Sequence, residues 1–242
     1  MKYRIKFSKY SSMIFIGHLD MMRYFQKAIR RAEIPIAYTT GFSPHQIMSF
    51  AAPLGVGLYS NGEYLDIELT EEMPTEQMKR QLNGTMAEGV TILSVKALPE
   101  NATNAMASVA AAGYTVRLRP GHEPAVFDSE SGEARAAFAF GEKFDAFMAQ
   151  EEIPYEKETK KSTRLLNLKE SIYDYKVCEG SVYLLVDASS SGNIKPGVVM
   201  EAYYGFCGIS PGEFDFIITR EETYTRGEDG ALIPLDAVGK DI

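Results

Sequence analysis

The chain opens with a period of two. Lys2-Tyr3-Arg4-Ile5-Lys6-Phe7 places Tyr3, Ile5 and Phe7 on one face of a strand and Lys2, Arg4 and Lys6 on the other. The period then lengthens. From Leu19 to Ala32 the apolar residues Leu19, Met22, Phe25, Ile29 and Ala32 fall at helical spacing. Asp20 stands in the first turn and Arg30 and Arg31 in the last, where their charges suit the helix dipole, and Pro35 follows the stop. A turn-rich segment from Tyr38 to Gly62 contains Gly41, Pro44, Pro53, Gly55 and Gly57, with a short strand near Ile47 to Phe50. Alternation returns from Glu63 to Leu69. Thr75 to Leu82 then reads as a helix with Gly84 beyond its end, and Val90 to Ala97 as a strand. The order β-α-β-β-α-β is that of a ferredoxin-like sandwich.

The same order is expected again downstream. Tyr114 to Arg119 alternates, Ala134 to Glu151 reads as a helix, and Ile153 to Thr159 with Leu165 to Val177 as a long hairpin. Val182 to Asp187 follows as a strand, Pro196 to Tyr204 as a helix with proline in its first turn, and Phe214 to Thr219 as a last strand. The fold expected is therefore α+β with two tandem ferredoxin-like (βαββαβ) halves, residues 1–100 and 113–225. An Ala/Ser-rich linker or short helix, 101–112, joins them, and a loosely attached tail, 226–242, ends the chain. One larger mixed sheet from the same elements is the alternative.

Composition narrows the class. Of 242 residues 45% are hydrophobic and 24% charged, an ordinary globular balance. Apolar stretches such as Met13-Ile14-Phe15-Ile16 fall far short of a membrane helix, and the N-terminal residues carry no secretory hydrophobic region. A cytoplasmic location with no membrane is the expectation. Cys178 and Cys207 form neither a CxxC pair nor the CxxxCxxC spacing of a radical-SAM iron–sulfur cluster, and read as small buried hydrophobes. No cofactor is expected in this chain, and any cluster chemistry must come from another. Charge is uneven. Residues 1–60 hold eight Lys/Arg against Asp20 and Glu33, a local +6, so the remainder carries −14 of the net −8. A basic end on an acidic protein suits an anion-facing surface or a solvated face alike.

Candidate chemistry concentrates in two places. Gly17-His18-Leu19-Asp20-Met21-Met22-Arg23 sets an imidazole at a helix start, a carboxylate in its first turn and an arginine one turn on. His18 and Asp20 read as catalytic acid–base candidates or as plain helix caps. Arg23, Lys27, Arg30 and Arg31 recur at i, i+4, i+7 and i+8, a basic stripe suited to phosphate or to solvent. Gly41-Phe42-Ser43-Pro44-His45 is a stiffened turn whose Gly41 and Phe42 are substrate-binding candidates. His45 offers a second imidazole for acid–base work. No metal spacing is present. The loop Ser189-Ser190-Ser191-Gly192-Asn193 lacks a phosphate-loop lysine, and outward Lys2, Arg4 and Lys6, with Arg117 and Arg119 in the second half, resemble open sheet platforms for nucleic acid.

The stretch from Gly17 to Leu69 resembles the core of the DUF2344 family of radical-SAM-linked proteins. The resemblance rests on His18-Leu19-Asp20, Arg23, Arg30-Arg31, Gly41-Phe42, Pro44-His45 and Glu63-Tyr64, and more loosely on Lys195-Pro196 and Ile218-Thr219-Arg220. The family pattern has asparagine where Ser43 stands and proline where Gln46 stands. The resemblance implies a partner: a radical-SAM protein of the cobalamin-binding type, carrying the cluster that this chain lacks. It supplies no reaction. The expectation is an accessory protein that binds or presents an RNA or other anionic substrate to that enzyme. The alternatives are a metal-independent RNA-processing enzyme using His18 and His45, and a pure protein–protein adaptor.

Overall fold

The structure is a computed structural model describing residues 1–123, 125–127, 134–136, 139–159, 162–212 and 214–242. It is a mixed α/β protein with a mostly sheet core. The chain divides into two compact units, Met1–Ala111 with Arg220–Ile242, and Ala112–Thr219.

In the first unit the alternating N-terminus becomes β1 (Lys2–Lys9), and a short 3-10 turn, Ser11–Phe15, leads into α1 (His18–Arg31). Then follow β2 (Met48–Phe50), β3 (Tyr59–Glu68), α2 (Thr75–Asn83), β4 (Val90–Ala97) and the four-residue α3 (Ala105–Ser108). β1 lies between β3 and β4, antiparallel to both, with Ile5 opposite Leu65 on one side and Val95 on the other. β2 pairs antiparallel with the far side of β3, Phe50 opposite Leu65. The core forms as the periodicities require. Tyr3, Ile5 and Phe7 from β1 pack with Leu65 and Ile67 from β3, and Phe25 and Ile29 from α1 cover them with Met78 and Leu82 from α2.

In the second unit the elements are β5 (Ala111–Leu118), β6 (Ala125–Phe127), β7 (Ala134–Ala136), α4 (Phe144–Met148), β8 (Pro154–Thr159), β9 (Ser162–Asn167), α5 (Leu168–Ser171), β10 (Ile172–Cys178), β11 (Ser181–Asp187) and α6 (Pro196–Phe206). β12 (Phe216–Arg226) belongs to this unit up to Thr219 and to the first from Arg220. The strand order is β10-β11-β5-β12, while β6-β7 and β8-β9 are separate hairpins. Phe144, Phe147 and Tyr203 cluster in its core, with ring centroids 5.0–5.6 Å apart. Burial pushes the Tyr204 phenol up to about 12, with the charge of Asp215 adding to the shift.

Four expectations need correction. The helix expected over Ala134 to Glu151 is instead a short strand, β7, a turn and the five-residue α4; residues 137 and 138 lie outside the described residues. The expected long hairpin is two pairings, β8 with β9 and β10 with β11, separated by α5. The segment read as a loose tail is tied down. β13 (Leu232–Pro234) pairs with β12, Lys240 pairs with Ala97, and the Ile242 carbonyl accepts from Thr75 N at 3.1 Å. Cys178, read as a buried hydrophobe, is instead exposed, and Cys207 is half-buried. Among the described residues no helix is long and apolar enough to cross a membrane.

Candidate functional site

Of the basic face expected on β1, only Lys2 is exposed. Arg4 is 1% exposed. Its guanidinium grips Asp66 with two parallel bonds, Nε to Oδ1 at 2.7 Å and NH2 to Oδ2 at 2.9 Å, and also donates to the Leu235 and Thr103 carbonyls. Lys6 binds Glu222 at 2.5 Å. The C-terminal 3-10 turn, Leu235–Val238, and the backbone just before α3 cover Arg4 and supply these acceptors, so its buried charge is paired. Beside them Tyr64 reaches Glu222 Oε1 at 2.7 Å and Asp236 Oδ1 at 3.1 Å, and Ser94 donates to Asp236 Oδ2. Burial first, then the two carboxylates, push the Tyr64 phenol far above its ordinary range.

On the other side of the sheet, α1 begins at His18 with Gly17 as its cap residue and no side-chain cap. Asp20 is therefore not a cap. It pairs with Arg23 at 3.0 Å, both well exposed. The His18 ring meets Phe50 edge-on at 5.3 Å, and Phe50 belongs to a triangle with Phe7 and Phe25. His18 thus lies at a recess lined by Phe7, Lys9, Ile16, Met21, Phe50, Leu54 and Glu63. Lys9 is 4% exposed, and its ammonium donates to the Ile16 carbonyl at 2.8 Å. Glu63 accepts from Ser60 at 2.9 Å and from Arg220 at 2.7 Å. Burial pulls the Lys9 ammonium below the usual lysine range, opposed by the charge of Glu63 and assisted by that of Arg220. Lys9, Glu63 and Arg220 were not sequence candidates, although Lys9 ends the alternating strand at a position where an apolar residue would fit the pattern.

Lys27, Arg30 and Arg31 are exposed on α1 with Arg23. Arg30 Nε donates to the Gln26 carbonyl at 3.3 Å, and Arg31 to the Thr85 carbonyl at 3.0 Å. Residues 38–46 form a loop closed by the Tyr38–Gln46 bridge and a Thr39 N to His45 carbonyl bond. Gly41 has φ +115°, a conformation that glycine adopts without strain, and Phe42 next to it is fully exposed. His45 is exposed, its Nδ1 3.1 Å from the Thr39 hydroxyl. Gln46 Nε2 donates to the Gln26 carbonyl at 3.3 Å, which ties the loop to α1 beside Arg30. Among the described residues no hydrogen bond or ring contact joins His18 and His45, and the recess is lined by His18 without His45.

The second unit offers less. Arg119 donates to the Phe214 carbonyl at 2.8 Å, while Arg117 is exposed. In the serine loop the N–H groups of Ser189, Gly192 and Asn193 go to Asp187, Ser189 Oγ and the Ser189 carbonyl. These three donors are satisfied within the loop and its flanking strand. Among the described residues no group of three metal-ligating side chains occurs.

The chain is thus a mixed α/β protein with exposed cations along α1 and buried ion pairs on both faces of the first unit's sheet. The family model "Uncharacterized protein conserved in bacteria (DUF2344)" matches residues 2–196, and the chain belongs to that family. A comparison with curated proteins found no match.

Proposed function

We propose that the chain is an accessory protein that presents an RNA or other anionic substrate to a radical-SAM enzyme of the cobalamin-binding type. The observation that carries this reading is the shared Gln26 carbonyl, which brings the Phe42 loop against α1 beside Arg30. A stacking aromatic next to exposed cations is what single-stranded nucleic acid requires: charge for the backbone and a flat ring for a base. Arg23, Lys27, Arg30 and Arg31 hold phosphate, and Phe42 stacks. Asp20 orients Arg23, and His18 and His45 flank the surface without acting as a pair.

The ferredoxin-like reading of both units is supported by strand order. In the first unit β2, β3, β1 and β4 lie in that sequence; in the second, β10, β11, β5 and β12 do. With the two small hairpins and α5 set aside, both follow the pattern second-third-first-fourth. Platforms of this architecture carry RNA in unrelated proteins, an analogy of fold alone.

The adaptor reading is favoured by a different feature, the exposure of Phe15, Leu19 and Val56 near the start of α1. Recovery of the chain from its native lysate, with and without nuclease, separates the two. Nuclease-sensitive co-recovery of a defined RNA is the expected result. Recovery of a radical-SAM protein alone, unaffected by nuclease, would leave α1 as a docking face.

A further inference from the structure

We propose that β10 is an interaction edge on which a second copy of this chain pairs, antiparallel and centred on Tyr175. This is independent of the RNA reading and lies wholly in the second unit.

β10 ends its sheet: β11 lies on one side, and among the described strands none lies on the other. A free edge presents N–H and C=O groups that template another strand, and short length, proline or unpaired charge normally blunts it. β10 runs seven residues, Ile172–Cys178, without proline. Tyr173 and Val177 are exposed on it together with Asp174, Lys176 and Cys178. Its pairing with β11 is regular from Asp174 to Cys178, the one shift falling between Ile172 and Asp174. The two charges are of opposite sign and flank Tyr175, whose ring is anchored on Phe144 with centroids 5.4 Å apart.

That order of side chains selects the occupant. Antiparallel pairing about Tyr175 sets Asp174 opposite the partner's Lys176 and Lys176 opposite the partner's Asp174. Both charges stand opposite Leu185 and Tyr183 of β11, on the face away from the buried Val182, Leu184 and Val186. Opposite charges across a strand pair attract and like charges repel. A slip of two residues in either direction would set Asp174 or Lys176 against its own counterpart. A slip of one would set each charge against the apolar face. Parallel pairing in register also sets like against like. One register therefore satisfies both charges, and a second copy supplies it by symmetry. Among the described residues the Lys176 ammonium has no ion pair, and the Asp174 carboxylate accepts only from the Tyr175 N–H, at 2.8 Å. In the pair that carboxylate turns to the partner's Lys176.

The test is sedimentation velocity on the full chain across a concentration series. Wild type is expected to dimerise reversibly. Lys176→Glu and Asp174→Lys each set like charges face to face, and each alone is expected to weaken the dimer about 10-fold or more. Mixed in equal amounts, the two variants are expected to pair with each other, because each charge then meets its opposite. A wild type monomeric at every concentration would leave the edge to another partner and overturn the proposal. So would a dimer that both variants leave intact, or a mixture that does not associate. Hydrogen exchange on wild type decides without a substitution: the β10 amides must slow as the chain is concentrated, and unchanged rates would overturn it.

Discussion

Gln46 and Arg30 share one acceptor: the Gln26 carbonyl oxygen lies 3.3 Å from Gln46 Nε2 and 3.3 Å from Arg30 Nε. Each bond is long and individually weak. The Gln46 bond ties the loop that bears Phe42 to α1, while the Arg30 bond lies within the helix. The tie uses the Gln46 side-chain amide.

Phe42→Ala separates recognition from folding. The side chain is fully exposed, so its removal is expected to leave the melting temperature unchanged. Loss of a stacked base should weaken binding of a single-stranded RNA by about 1–3 kcal/mol. Fluorescence anisotropy with a labelled oligonucleotide measures this, and an unchanged affinity removes Phe42 from the interface.

Arg4→Ala is expected to behave in the opposite way. It leaves Asp66 without its bidentate partner in a buried setting, at a cost of about 3–5 kcal/mol of stability. Because Arg4 is covered by the C-terminal turn, RNA affinity per folded molecule should not change. Denaturant unfolding and binding on the same preparation check both halves. A loss of affinity at full folding would restore the strand face as a binding platform.

Tyr64 gives a pH signature. Its phenol is raised in the folded state, so the native protein holds a proton that the unfolded chain loses above about pH 10. Its contribution to stability is full below that pH and falls as pH rises, by about 1.4 kcal/mol per unit. Lys9 acts in the other direction: its lowered value makes stability rise with pH until about 10.5, the ordinary lysine value, and it is neutral to the slope above that. Between pH 10.5 and 11.5, Tyr64→Phe should therefore show a shallower loss than wild type by about one proton. Identical slopes would mean that Tyr64 ionises normally.

The elements governed by local periodicity were legible. β1, α1 and α2 lie where alternation and helical spacing put them, and β4 has the expected bounds, because each buries a regular apolar face. The helix over 134–151 was misread because an alanine-rich run favours helix locally. Gly141, with φ +86°, instead turns the chain just before α4, and a Cβ there would lie 3.0 Å from the Val177 side chain. Long-range polar pairing was invisible for a different reason. Arg4 with Asp66, Lys6 with Glu222 and Glu63 with Arg220 join residues far apart in sequence. No period marks such pairs, so the basic positions of β1 read as open surface. The same blindness hid Lys9. The exposed cations of α1 and the Phe42 turn were legible because both are local.

The most direct measurement is the salt dependence of binding to a labelled single-stranded RNA, for wild type and for Arg30→Ala with Arg31→Ala. Both side chains are exposed, so the double variant is expected to fold normally. Each phosphate contact contributes roughly 0.7 to the slope of log affinity against log salt on a single strand. Loss of two contacts should lower affinity at low salt and reduce the slope by roughly 1.4. Unchanged affinity and slope in the double variant would contradict the assignment of α1 as the anion-binding face.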